Sequence, residues 1–191
     1  MDHPTEDLIN CHTRGTTSSS DLFTIMTEQK PHWPQPSHPG LIAVQQGTGS
    51  FSSHTTSLQN LAPSSLFTKL DSTTPSPAAY STVQVGPNAH VELNSDLLYT
   101  NHSCDPSLVF DMSAMEVRVV AERALKKGDM LTFFYPSTEW EVAQEFDCSC
   151  GSATCLGKIK GAKHMKEEDL RRYWLNEHIE ELLRKEHSQK S

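Results

Sequence analysis

The sequence predicts a mainly β body closed by a C-terminal helix, and three observations lead there. Short, alternating, β-branched segments recur through the middle of the chain with little helical pattern between them. From Lys166 to His187, apolar residues return at helical spacing. Three of the five cysteines fall within the eight residues "CSCGSATC", a crowding that suits a metal clamp near the end of the chain.

In chain order, residues 1–39 are rich in Ser, Thr, His and Pro and end in "PHWPQPSHP". Proline removes donors, and little apolar surface offsets the ordering entropy, so a mostly disordered tail is expected, with Asp21 to Met26 as a short anchor. At Gly40 the pattern changes. "LIAVQQGTGSFSS" reads as a strand running into a Gly47-x-Gly49 turn that backbone can approach closely. "SSLFTKLDSTTPSPAAY" is less regular, and Pro75 and Pro77 mark a loop. Strands follow at "STVQV", "HVEL", "SLVFDM", "EVRVVAE" and "MLTFFY", the last after a "KKGD" turn. Within Glu116–Glu122, Val117 and Val119 face inward between outward charges. In the final helix Leu170, Tyr173, Trp174, Ile179, Leu182 and Leu183 form the stripe. Glu167, Glu168 and Asp169 in the first turn and Arg184, Lys185 and His187 in the last suit the two ends of the dipole.

Composition narrows the function. The chain carries a net charge of −8, and residues 1–157 hold 7 Lys/Arg against 17 Asp/Glu. Direct nucleic-acid binding is therefore disfavoured, whereas a basic, Lys-rich partner meets a favourable field. No apolar run is long enough to span a membrane. The N-terminus lacks the pattern of a secretory signal, and the odd cysteine count fits an intracellular compartment, nuclear or cytoplasmic.

Cys148-x-Cys150-x4-Cys155 can present three thiolates to one ion, and structural zinc takes four ligands. Two candidates complete the set: Cys104, in "YTNHSCDPS", and His164, nearer in sequence. A Cys104 ligand would stitch the tail onto a mid-chain loop and couple its folding to metal.

Together, "GTGSF" (47–51), "YTNHSCDPS" (99–107), "ALKKGDMLTFFY" (124–135) and "CSCGSATCLG" (148–157) resemble, in order and spacing, the motifs of the SET-domain lysine methyltransferases. The similarity covers roughly Leu41 to Gly161 and is closest in style to small, single-domain fungal members with a post-SET region. It implies a SET-domain fold of small curved β-sheets with a pseudoknot. On this reading residues 40–140 are the SET domain, 141–162 a zinc-binding post-SET segment and 163–191 the C-terminal helix.

The resemblance further implies S-adenosyl-methionine as cofactor, held by Gly47, Thr48, Gly49, Asn101, His102 and Leu156 with Tyr135 beside the transferred methyl as the catalytic residue. It implies zinc on Cys104, Cys148, Cys150 and Cys155, and a substrate channel walled by Tyr99, Phe133 and Phe134. The acceptor implied is a lysine on a protein or peptide, histone or not, and the chain is expected to be a monomer. Phe133 matches a position where Phe accompanies higher methylation states. The sequence departs from the family pattern at Leu98, Phe134 and Pro136, where Arg, Asp and Gly are common. Those departures bear on the substrate more than on the cofactor, and keep in view a catalytically weak, partner-binding SET-like protein or an accessory methyltransferase of a specialised pathway.

Overall fold

The computed structural model describes residues 31–48 and 52–190, so the anchor expected at Asp21–Met26 and the turn residues Gly49, Ser50 and Phe51 lie outside the described residues. Its strands are, in order, β1 (Ile42–Gln45), β2 (His54–Ser57), β3 (Leu66–Lys69), β4 (Thr74–Ser76), β5 (Thr82–Gly86), β6 (Ala89–Glu92), β7 (Asn101–His102), β8 (Leu108–Asp111), β9 (Glu116–Val119), β10 (Met130–Phe133), β11 (Phe146–Asp147) and β12 (Lys158–Ile159). Two helices follow, α1 (Glu167–Leu170) and α2 (Glu177–Lys190). Among the described residues, no helix is long and apolar enough to cross a membrane.

The strands form three small sheets, as the predicted mainly β, SET-like architecture requires. The largest runs β1-β2-β10-β8-β9-β3, with β7 also paired to β10. The β8–β9 hairpin turns on Asp111, whose Oδ1 accepts the Ser113 and Ala114 N–H groups at 3.1 and 2.9 Å. That Asx-type turn fixes the register, so that Val117 and Val119 point into the core at 0% and 2% exposure while Glu116 and Arg118 pair outside. Around them Phe110, Leu108, Leu131 and Phe133 fill one hydrophobic core. A second sheet, β4-β6-β5, stands on its own. Pro75, expected in a loop, sits in β4 instead; β4 is an edge strand, where a missing N–H is tolerated.

Two expectations change. Residues 31–39, expected within the tail, are bound to the body through Asp96. Its Oδ1 accepts Trp33 Nε1–H (3.1 Å) and Gln35 Nε2–H (3.0 Å), and its Oδ2 accepts the Ser37 N–H (2.7 Å). Proline-rich composition hid this, because a buried carboxylate far along the chain supplies the acceptors.

The helix expected over Lys166–His187 is also broken, between α1 and α2, at Asn176. Its side chain accepts the Met112 N–H (2.8 Å) and donates to the carbonyls of Phe110 (2.9 Å) and Ser137 (2.8 Å). Satisfying three buried main-chain groups outweighs continuing one helix. Leu170 and Ile179 still bury the stripe at 1% and 0% exposure, while Trp174 is left 45% exposed.

Candidate functional site

Strand alternation decides which aromatic residues meet. Side chains two apart share a face, and Phe133 and Tyr135 do, with ring centroids 4.7 Å apart. Phe133 also stacks on Phe110 at 4.1 Å. Phe134 must face the other way. It is buried in the second core, stacked on Tyr173 at 3.6 Å and nearly parallel. The channel wall expected at Phe134 is therefore a structural contact between β10 and the C-terminal segment.

The two-residue strand β7 pairs in parallel with β10, which sets Asn101 opposite Thr132 and His102 opposite Phe133. Asn101 Nδ2–H donates to the Ser53 carbonyl (3.0 Å), tying β7 to the loop after Gly47. Gly47 is crowded by Ser52: a Cβ on it would stand 2.0 Å from Ser52 Oγ and 2.6 Å from the Ser52 carbonyl carbon. His102 lies buried between Phe134, Tyr135 and Phe146. Its Nδ1 accepts the Tyr135 N–H (3.2 Å), which leaves Nε2 to carry the proton, 3.3 Å from Cys104 Sγ. Burial holds the imidazole pKa down at about 4, so the ring is neutral. The Tyr135 hydroxyl donates to the Thr100 carbonyl at 3.2 Å, and burial, with Glu139 nearby, pushes its pKa up.

The four thiols Cys104, Cys148, Cys150 and Cys155 lie within 4.8 Å of one another. Thiolates held tetrahedrally at ~2.3 Å from zinc stand roughly 3.8 Å apart, and Cys104 Sγ is 3.9 Å from Cys148 Sγ. The donor set therefore fits a tetrahedral metal. Burial pushes the Cys104 thiol up to about 11 and Cys148 up as well. At Cys150 burial acts the same way, but hydrogen bonds from main-chain groups and neighbouring thiols outweigh it and leave that thiol at about 6. A cation is what would hold all four as thiolates. The Leu156 N–H points at Cys104 Sγ (3.4 Å), and Tyr173 Oη–H donates to the Cys104 carbonyl (2.8 Å). His164 is instead engaged with Glu141, at 3.1 Å. Segment 101–104 is thus covered by Phe146, Leu156 and Tyr173 from later in the chain, the crossing that a pseudoknot needs.

A cleft of about 360 Å³ opens between β7, the β5 side of the second sheet and residues 142–149. Asn101, His102, Phe133 and Tyr135 line it together. Tyr99, expected as a wall, is not among its lining residues; Leu97 and Leu98 are, while Tyr99 turns towards Trp33, ring centroids 6.5 Å apart. Gly47, Thr48 and Leu156 also lie outside this lining.

Sequence reasoning missed Gln84 and Glu139. The Gln84 N–H donates to Glu139 Oε1 (2.9 Å), and Gln84 Oε1 accepts the Trp140 N–H (2.8 Å), so β5 grips the segment just after Tyr135. Burial raises the Glu139 carboxyl to about 7 against the Gln84 and Thr138 hydrogen bonds. No sequence signal marks either residue, because the partners lie 55 and 56 positions apart.

No family model matches the chain. It is 50% identical over 159 residues to the methyltransferase flvH of Aspergillus flavus, covering 83% of this chain and 89% of that protein. It is also 33% identical over 72 residues to the histone-lysine N-methyltransferase ASHH3 of Arabidopsis thaliana, which is 36% of this chain and 19% of that one. A third relative, the putative histone-lysine N-methyltransferase ASHH4 of the same plant, is 32% identical over 75 residues, 37% of this chain and 20% of that protein.

Proposed function

The chain belongs to the methyltransferase family of flvH, and on that premise we propose that it is an S-adenosyl-methionine-dependent N-methyltransferase of the SET type acting on lysine. The single observation that carries this reading is the convergence of Asn101, His102, Phe133 and Tyr135 on one cleft beside a four-thiol cluster. Plant relatives described as histone-lysine methyltransferases support a lysyl amine on a protein, histone or not, as the acceptor.

In this reading S-adenosyl-methionine supplies an already activated methyl, and the protein supplies alignment, which accounts for about 7–11 kcal/mol in favourable cases. Asn101 and the His102 main chain, which line the cleft, would hold the donor, and Gly47, Thr48, Gly49 and Leu156 are the further residues that the resemblance assigns to it. Tyr135, whose hydroxyl donates to the Thr100 carbonyl, would stand beside the methyl, and Phe133 would wall the acceptor side. Phe133 lacks the hydroxyl and bound water of a tyrosine, which leaves room for more than one methyl. Cys104, Cys148, Cys150 and Cys155 would hold the zinc, which would tie the C-terminal segment to the residues just after β7. The chain acts as a monomer and, being acidic, favours a basic substrate segment.

The deciding experiment incubates the purified, zinc-loaded chain with radiolabelled cofactor, a histone mixture and a cell extract, alongside Tyr135→Phe. Label on a lysine with wild type and not with the variant supports the proposal. Cofactor binding without transfer to any acceptor returns the chain to a partner-binding role.

A further inference from the structure

The cleft has a charge pattern that the proposed catalytic residues do not use. Among the described residues lining it there are two carboxylates, Glu139 and Asp147, and no lysine or arginine. Glu139 is the sheltered one, its side chain 12% exposed. Its position is over-determined. The Gln84 N–H donates to Oε1 (2.9 Å), the Thr138 hydroxyl shares its proton between Oε1 and the Tyr135 carbonyl (3.1 Å each), and the Glu139 N–H donates to the Tyr135 carbonyl (2.9 Å). Oε2 accepts no hydrogen bond from the described residues; it faces His90 Nε2 across 3.9 Å. One oxygen is thus used to aim the other.

We propose that Glu139 is an ammonium-binding subsite, with Oε2 receiving the methyl acceptor in its ammonium form inside the cleft, one helical turn from Tyr135; the ammonium gives its proton to solvent before the neutral amine takes the methyl. The inference rests on the N-methyltransferase reading above and adds to it the group that recognises the acceptor. A buried carboxylate without a fixed cationic partner is costly. An alkylammonium ligand supplies that partner at the moment of binding and is selected over neutral molecules of the same shape.

The groups surrounding Glu139 allow this. His90 on β6 is held neutral, its pKa lowered by burial and by His178. His178 on α2 is likewise lowered by burial, despite the Thr138 carbonyl and Glu181 beside it. Tyr135, beneath, stays protonated. None of these offers the carboxylate a competing positive charge near neutral pH. Burial, which raises the Glu139 carboxyl to about 7, makes ammonium binding strengthen as pH rises through that value and the carboxylate forms.

The test uses n-butylammonium and neutral n-butanol as probes, titrated into the zinc-loaded full chain and followed by NMR shifts. Wild type at pH 8 is expected to prefer butylammonium about tenfold or more, a margin set by one desolvated charge pair. Lowering the pH to 6 should shrink that margin. In Glu139→Gln the margin should vanish at both pH values, and in Glu139→Asp, which keeps the charge, most of it should survive. Equal binding of the two probes to wild type, or an undiminished preference in Glu139→Gln, overturns the proposal. So does a loss of S-adenosyl-methionine affinity in Glu139→Gln with butylammonium binding intact, since the cation would then be the donor's. The probes report without turnover, so failure here is separable from failure of methyl transfer.

Discussion

His102 bridges two parts of the site: its Nδ1 accepts the Tyr135 main-chain N–H at 3.2 Å while its Nε2 lies 3.3 Å from Cys104 Sγ. One neutral ring therefore joins the thiol cluster to the end of β10. Ligand positioning by such outer hydrogen bonds commonly governs metal affinity. His102→Phe removes both bonds while keeping the ring volume. It is expected to lower zinc affinity by about 10-fold or more and methyl transfer with it, read by chelator competition and label incorporation on the same samples.

The thiol cluster makes a stoichiometric prediction. Wild type is expected to carry about one zinc per chain, by elemental analysis. Cys104→Ser should lose the metal and His164→Ala should keep it, because His164 is paired with Glu141 outside the cluster. Metal removal should also lower the thermal midpoint, since the ion joins residue 104 to the C-terminal segment.

Gly47→Ala tests the turn. The new Cβ would meet Ser52 main chain at 2.6 Å, so Ser52, beside the Ser53 carbonyl that Asn101 holds, must move. Cofactor affinity measured by calorimetry should fall by about fivefold or more, the equivalent of ~1 kcal/mol of strain, with little change in thermal midpoint because Gly47 is exposed.

Asp96 predicts an acid dependence of stability. Burial alone would raise its carboxyl, but hydrogen bonds from Trp33, Ser37 and Gln35 prevail and hold it below the usual 3.8. The folded value lies below the unfolded one, so this contribution is present above pH 3.8 and is lost as pH falls through the lower folded value. Asp96→Asn should cost on the order of 1.5–3 kcal/mol at pH 7 and flatten the acid limb of denaturant midpoints.

Asn176→Ala strands the Met112 N–H and removes the side-chain donor to the Phe110 carbonyl, while the Ser137 carbonyl keeps the residue-176 main-chain N–H (3.0 Å); it should cost about 2–3 kcal/mol in urea unfolding. Trp174→Ala, at an exposed position in the same segment, should stay within ~0.5 kcal/mol.

Much of this architecture can be read along the chain. The inward faces at Val117 and Val119 follow from alternation, and the crowding of Cys148, Cys150 and Cys155 follows from their spacing. At Phe134 alternation sets the side chain opposite its neighbours Phe133 and Tyr135, so that it lies in the second core and not in the channel. The break at Asn176, the binding of residues 31–39 to Asp96 and the grip of Gln84 on Glu139 carry no local pattern.

By itself, then, the sequence determined what short-range physics controls: strand periodicity, the "KKGD" turn and three thiols within reach of one ion. Only the tertiary structure decided that Cys104 joins those thiols, that Tyr99 leaves the cleft and that Glu139 enters it. Those outcomes depend on buried donors and acceptors finding partners dozens of residues away, and only the assembled core brings such pairs within hydrogen-bonding distance.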